Sequence, residues 1–240
     1  MARRRFFVDQ VRNGEAELTG EEAEHVARVL RAEVGHRYEL SDNSEAFLAE
    51  VTLSTKRSVK FKILDRLVTA PPPARIALLT ALFKFDHLEW TIEKATELGV
   101  EQIIPFRSER TEKGLELAAR KRVERWRRIA KEASQQSRRT VMPEIADPLT
   151  FREALEFACD FKLYLEEEQG SPALIDTLPT DWAGLIGIAV GPEGGWADHE
   201  RGSLRAAGFK PVSLGPMILR AETAATAALA VVMQKAMSSI

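Results

Sequence analysis

Leu185-Ile186-Gly187-Ile188-Ala189-Val190-Gly191-Pro192-Glu193-Gly194-Gly195-Trp196 is the stretch that decides the fold class of this 240-residue chain. An unbroken apolar run matches a strand covered on both faces, as parallel strands are, and a glycine-rich turn leaves its carboxyl end. Ile76 to Phe83 is a second such run. Further strands are predicted at Val100 to Phe106, Phe161 to Leu165 and Pro211 to Leu214, with helices between them, the alternation of a mostly parallel α/β sheet. Asp86 is expected to cap a helix reaching Leu98, where Gly99 stops it. A long helix is predicted from Leu115 to Arg138, and Thr150 with Glu153 reads as a capping box. Ala221 to Met237, rich in Ala and apolar on more than one face, predicts a buried helix.

Upstream, Thr69-Ala70-Pro71-Pro72-Pro73-Ala74 forbids a continuing helix or central strand. It divides the chain into expected domains at residues 1–69 and 74–240. Before the prolines the patterns are mostly strands: Phe6 to Val8, Arg37 to Leu40, Phe47 to Leu53 and Val59 to Leu64. One helix opens at Thr19, with Glu22 three residues on completing a capping box. A small β-barrel with one helix fits these lengths.

Composition removes several classes of function. The chain has 34 Lys and Arg against 36 Asp and Glu, and 45% hydrophobic residues, as ordinary globular proteins do. Its longest apolar run, Ala224 to Met233, is about half of the roughly 20 residues a membrane span needs. The single Cys159 cannot form an internal disulfide, so a cytoplasmic home is the expectation. The basic start, Met1 to Arg5, is followed by no signal-peptide h-region and reads as mature sequence. His25, His36, His87 and His199 stand far apart, so no metal is expected. Neither a phosphate-binding P-loop, a dinucleotide fingerprint nor a Gly-x-Ser-x-Gly elbow occurs. The charge is unevenly laid out: Pro105 to Thr140 carries 12 basic against 5 acidic residues, Val141 to Glu200 only 2 against 13. The first segment suits a polyanion, although solvated helix faces would give the same count.

The glycine turn after Val190 has two readings. Its backbone approaches a flat ligand closely, or it is a tight strand-to-helix turn with Glu193 solvated and Asp198 capping the next helix. A second loop, Ser213-Leu214-Gly215-Pro216-Met217-Ile218-Leu219-Arg220-Ala221-Glu222-Thr223-Ala224, also follows a strand and opens the last helix with an Arg and a Glu. Two such loops at one sheet edge favour a ligand site.

Paired, Gly-Pro-Glu-Gly-Gly at 191–195 and Leu-Gly-Pro-x-Ile-Leu-Arg-x-Glu-Thr-Ala at 214–224 resemble the RsmE-type methyltransferases of the SPOUT class. The resemblance extends through Arg4-Arg5-Phe6-Phe7-Val8, Glu24 to Arg31, Lys94 to Val100, Ser108-Glu109-Arg110 and Arg125 to Pro143. It implies an α/β trefoil-knot domain behind a PUA-like RNA-binding β-barrel, acting as a homodimer. It also implies methylation by S-adenosylmethionine of N3 of one uridine in small-subunit (16S) ribosomal RNA. A non-catalytic RNA-binding or assembly protein with a degenerate knot is the competing expectation. The family usually has Arg where Met217 stands and Thr where Ala221 stands.

On this resemblance, Leu165, Glu166, Gly191, Pro192, Glu193, Gly194, Gly195, Leu214, Gly215, Pro216, Ile218 and Leu219 are expected around the cofactor, mostly through backbone groups. Crowding at Gly194 is expected to abolish its binding. Arg220 and Glu222 are the candidate catalytic pair, to stabilise the uracil anion or take its imide proton. Arg3, Arg4, Arg5, Arg31, Arg110, Arg138 and Arg139 are expected to grip RNA phosphates.

Overall fold

The computed structural model describes residues 4–168, 170–180 and 182–239. The chain divides into two compact units, one running up to Pro71 and taking back Ser134–Met142, the other formed by Pro72–Ala133 and the residues from Pro143 onward.

In the first unit, β1 (Arg5–Phe7), β2 (Glu15–Thr19), β3 (Arg37–Ser41), β4 (Ala46–Ser54) and β5 (Ser58–Leu67) form one sheet in the order β1-β3-β4-β5-β2. Strict alternation builds its core: Ala16 and Leu18 of β2 point inward between exposed Glu15, Glu17 and Thr19. They meet Phe6, Val26, Leu40, Val51 and Phe61 in one apolar cluster. The helix expected at Thr19 is present as α1 (Gly20–Glu24), continued by a π-helical turn over His25–Val29. Its expected capping box is not formed. Thr19 is the extended last residue of β2 and makes no side-chain cap bond, and Glu22 instead accepts a hydrogen bond from Gln135 Nε2 at 2.7 Å.

The second unit runs β6 (Arg75–Ala81), α2 (Phe85–Glu97), β7 (Gln102–Arg107), α3 (Leu115–Arg120), α4 (Val123–Gln136), β8 (Glu144–Ile145) and β9 (Leu149–Thr150). It continues through α5 (Phe151–Glu156), β10 (Phe161–Leu165), α6 (Leu174–Thr177), β11 (Leu185–Val190), α7 (Asp198–Ala206), β12 (Lys210–Val212) and α8 (Ala221–Met237). The sheet order is β12-β10-β11-β6-β7-β8 with β9 beside β7, and every pairing is parallel. Alternate residues of β6 feed the two faces: Ile76 and Leu78 join the cluster under α2 and α8, Ala77 and Leu79 the one holding Trp196 and Phe106. That double coverage is why β6 and β11 read as continuous apolar runs.

Two further local expectations are revised. Lys84, not Asp86, is the residue before α2, and Asp86 lies in its first turn. The long predicted helix is broken after Arg120, where the amide of Arg122 reaches back only to Ala119 O at 2.8 Å. Arg122 is held there by Glu89, 2.8 Å away, and by the face of Phe85, 4.5 Å from its guanidinium. Glu153 does cap Thr150 reciprocally, as predicted.

Candidate cofactor cleft

Four parallel strands, β6, β10, β11 and β12, end at one edge of the second sheet, the edge where open α/β sheets take ligands. A cavity of about 490 Å³ opens there, within the roughly 300–1,000 Å³ usual for small-molecule sites. Of the residues predicted around a cofactor, Leu165, Glu166, Gly191, Pro192, Glu193, Gly195, Leu214, Gly215, Ile218 and Leu219 line it, as does Arg220. Gly194, Pro216 and Glu222 are not among the lining residues. Gly194 faces Arg110, whose Nη1 donates to its carbonyl at 2.6 Å. A Cβ at Gly194 would lie 3.5 Å from the Arg110 side chain, an ordinary contact. The expectation that crowding at Gly194 closes the cleft therefore passes to its neighbour. Gly195 has φ +70°, and a Cβ there would come within 2.2 Å of Glu167 Oε1.

Lys84, His87, Glu167, Trp196 and Met217 also line the cavity and were not foreseen. Lys84 and His87 sit at the entrance to α2, where a lone basic residue in sequence carries no signal; only the adjacency of β6 and β11 brings them here.

The walls are fastened from behind. Trp196, 2% exposed, donates its indole N–H to the carbonyl of Leu165 at 2.8 Å, stacks on Phe106 and meets Tyr164 edge-on. Arg201 holds the buried Glu166 carboxylate through Nε at 2.9 Å and Nη2 at 3.3 Å, and donates from Nη1 to Trp196 O at 2.6 Å. Burial opposes the guanidinium charge, but Glu166, Glu168 and Asp198 outweigh it and hold Arg201 above its ordinary pKa. The Glu166 side chain is thereby committed to the scaffold, leaving its backbone to face the cavity. The turn over Pro192 to Gly195 closes by a Gly195 N–H to Pro192 O bond of 2.9 Å.

At the mouth, His87 Nδ1 lies 3.4 Å from a Glu193 oxygen and 3.6 Å from a Glu222 oxygen. Both His87 Nδ1 and Glu222 Oε2 are buried without a hydrogen-bond partner. Such orphaned polar atoms beside a cavity are costly unless a ligand or water completes them. Beyond the mouth, Met217 and Ile218 are 78% and 80% exposed.

The arginines expected at RNA separate into distinct environments. Arg3 lies outside the described residues. Arg4, Arg31 and Arg110 are exposed. Arg5 is buried at 4% exposure, its guanidinium pairing Glu39 at 3.0 Å and donating to Arg138 O and Thr140 Oγ1. It is a scaffold residue of the first unit and has no surface with which to grip a phosphate, so the expectation is corrected. Arg138 also pairs Glu39 but keeps half its side chain in solvent, and Arg139 Nε donates to Val141 O at 2.9 Å. Among the described residues no group of three or more His, Cys, Asp or Glu is placed to hold a metal ion. No helix among them is long and apolar enough to cross a membrane.

Two family profiles match the chain: an RNA methyltransferase domain over residues 70–233 and an RNA methyltransferase PUA domain over 18–64. The chain is 34% identical over 228 residues to the ribosomal RNA small subunit methyltransferase E of Bacillus subtilis, covering 90% of this chain and 88% of that protein. To its counterpart in Aquifex aeolicus it is 30% identical, covering 95% and 98%. Among solved structures it resembles ribosomal RNA small subunit methyltransferase E from Neisseria gonorrhoeae bound to S-adenosyl methionine, with TM-score 0.86, 31% identity and 95% of both chains covered. A methyltransferase from Legionella pneumophila in complex with the same cofactor matches at TM-score 0.88 and 30% identity, covering 98% of both chains.

Proposed function

This chain belongs to the RNA methyltransferase family, and from that premise we propose that its cleft holds S-adenosylmethionine and directs the methyl group to N3 of one uridine in small-subunit ribosomal RNA. The observation that carries the proposal is the convergence of Leu165, Gly191, Gly195, Leu214 and Ile218 on one cavity at the carboxyl edge of the parallel sheet. These residues offer backbone amides and carbonyls and apolar side chains, which suit an adenine and a ribose. Lys84 and Arg220 supply cations on the same wall for a carboxylate, and Glu167 and Glu193 supply anions for a positively charged group. The residues present therefore fit this cofactor.

S-adenosylmethionine, when bound, supplies a methyl group on a positively charged sulfur. The chain's own task is alignment: fixing donor and acceptor in line is worth several orders of magnitude in rate. Trp196 and Arg201 do this indirectly, by holding the Leu165 and Gly191 to Gly195 walls at a fixed separation. Arg220, the residue before α8, is proposed to stabilise negative charge on the uracil as its imide proton leaves. Exposed Arg4, Arg31, Arg110 and Arg138, with the half-buried Arg139, are proposed to hold phosphates.

The strand order β12-β10-β11-β6-β7, in which β11 enters between β6 and β10, supports a knotted SPOUT arrangement, and the five-stranded first sheet supports a PUA-like barrel. The exposed Met217 and Ile218 support a homodimer that covers them. With a ribosomal RNA substrate, a cytoplasmic location is the proposal. A formed, polar-rimmed cavity favours the enzyme over a purely RNA-assembling role. Titration calorimetry with S-adenosylmethionine tests the reading: saturable micromolar binding is expected, and no heat at concentrations far above that range contradicts it.

A further inference from the structure

Three features have no role so far: a second cavity bounded by Asp160, Phe161 and Ile186, the basic outer face of β5, and the ring of His87 in the cleft. The cavity has no convergent charged groups, and Lys60 and Lys62 of β5 lie opposite Glu17 and Glu15. His87 carries more.

We propose that His87 is the proton acceptor in the reaction, with Glu222 as the residue that orients it. The proposal rests on the uridine-N3 reading above. Transfer to N3 forms an N–CH3 bond and breaks the S–CH3 bond, whose electron pair stays on the sulfur as it becomes a neutral thioether. The N3–H proton needs a base, and the step balances when an imidazole nitrogen receives it.

Among the side chains lining the cavity, His87 alone brings an imidazole, whose ring nitrogen can accept a proton. Lys84 and Arg220 offer donors, Glu166 is taken by Arg201, and Glu167 and Glu193 offer carboxylates, which are weak bases. His87 lies in the first turn of α2, so the backbone that carries it is helical and fixed. Its Nδ1 is buried and faces two carboxylates, Glu193 from the loop after β11 at 3.4 Å and Glu222 from α8 at 3.6 Å. Both contacts are a few tenths of an ångström longer than a good hydrogen bond, as catalytic contacts are before substrate closes the site. In the tautomer whose Nδ1 hydrogen faces those carboxylates, Nε2 presents the lone pair, and 30% of the side chain remains accessible. Asp86 lies 3.7 Å from Nε2, with its own side chain 76% exposed to water. A base oriented by a carboxylate behind it is the arrangement that fixes a histidine tautomer in acyl-transfer enzymes. Glu222 does not itself line the cavity. It stands behind the ring.

The test is single-turnover methylation of small-subunit rRNA by wild type, H87Q and H87A, with cofactor and RNA affinities measured alongside. H87Q is expected to keep both affinities within about twofold and to lose about 100-fold or more in rate at pH 7, the usual weight of a general base. The deficit should shrink as pH rises and the imide ionises unaided, and added imidazole should restore part of the H87A rate. Unchanged H87Q rates overturn the proposal. So does a loss that neither alkaline pH nor imidazole relieves, which would give His87 a packing role. If wild type itself places no methyl group at uridine N3, the parent reading fails first, and this one with it.

Discussion

Arg201 grips both carboxylate oxygens of Glu166, at 2.9 Å and 3.3 Å, with 9% and 1% of the two side chains exposed. This buried pair ties α7 to the end of β10 and so sets the spacing between two walls of the cleft. Removing only Arg201 strands a carboxylate, so R201M should cost about 3–5 kcal/mol. The double variant E166M/R201M, which buries no lone charge, should recover most of that. Urea unfolding of the three proteins checks it. A double variant no more stable than R201M would mean that the Arg201 bond to Trp196 O, and not the ion pair, does the holding.

Adjacent glycines should behave differently. Gly195 has a left-handed backbone, and a Cβ there would have to displace the Glu167 carboxylate, whereas at Gly194 a Cβ makes only an ordinary contact. Forcing an L-residue into that conformation costs about 1–2 kcal/mol. G195A should therefore weaken S-adenosylmethionine binding by about tenfold or more, and G194A should leave it nearly unchanged. Calorimetry of both variants reads the difference.

RNA binding should depend on Arg31 and Arg139 through charge alone. Replacing both with Gln should reduce the slope of log affinity against log salt by about 1.4–1.8, with cofactor affinity untouched. R5Q should act otherwise. By uncovering Glu39 it should lower the unfolding temperature of the first unit and change the salt slope little. An R5Q protein of normal stability and reduced salt slope would return Arg5 to the RNA surface.

Burial pushes the Cys159 thiol up from 9.0 to about 11. Below about pH 8 the thiol is protonated folded or unfolded and contributes nothing to pH dependence. Between about pH 9 and 11 the unfolded chain releases this proton while the native protein keeps it. Stability should fall with rising pH across that window. The C159A variant should show a shallower fall in melting temperature from pH 8 to 10.

What the sequence made legible follows from what is local. The runs Ile76 to Phe83 and Leu185 to Val190 announce strands buried on both faces because the coverage is written into every residue. The two glycine loops announce a ligand edge because their glycines have few other uses in tandem. The return of Ser134–Met142 to the first unit is a tertiary choice, and nothing in a basic helix end foretells it. Arg5 looked like its exposed neighbour Arg4; only the partner across the sheet, Glu39, tells them apart. His87 was set aside because no second histidine stands at ligand spacing, yet its partners, Glu193 and Glu222, lie more than a hundred residues away. The break between α3 and α4 has no proline or glycine to mark it.

The most direct measurement is mass spectrometry of small-subunit ribosomal RNA from cells with and without this protein. One uridine should carry an N3 methyl group in the first sample and none in the second, with the mark restored by the wild-type chain and not by a variant that cannot bind the methyl donor. Identical methylation in both samples would contradict the account.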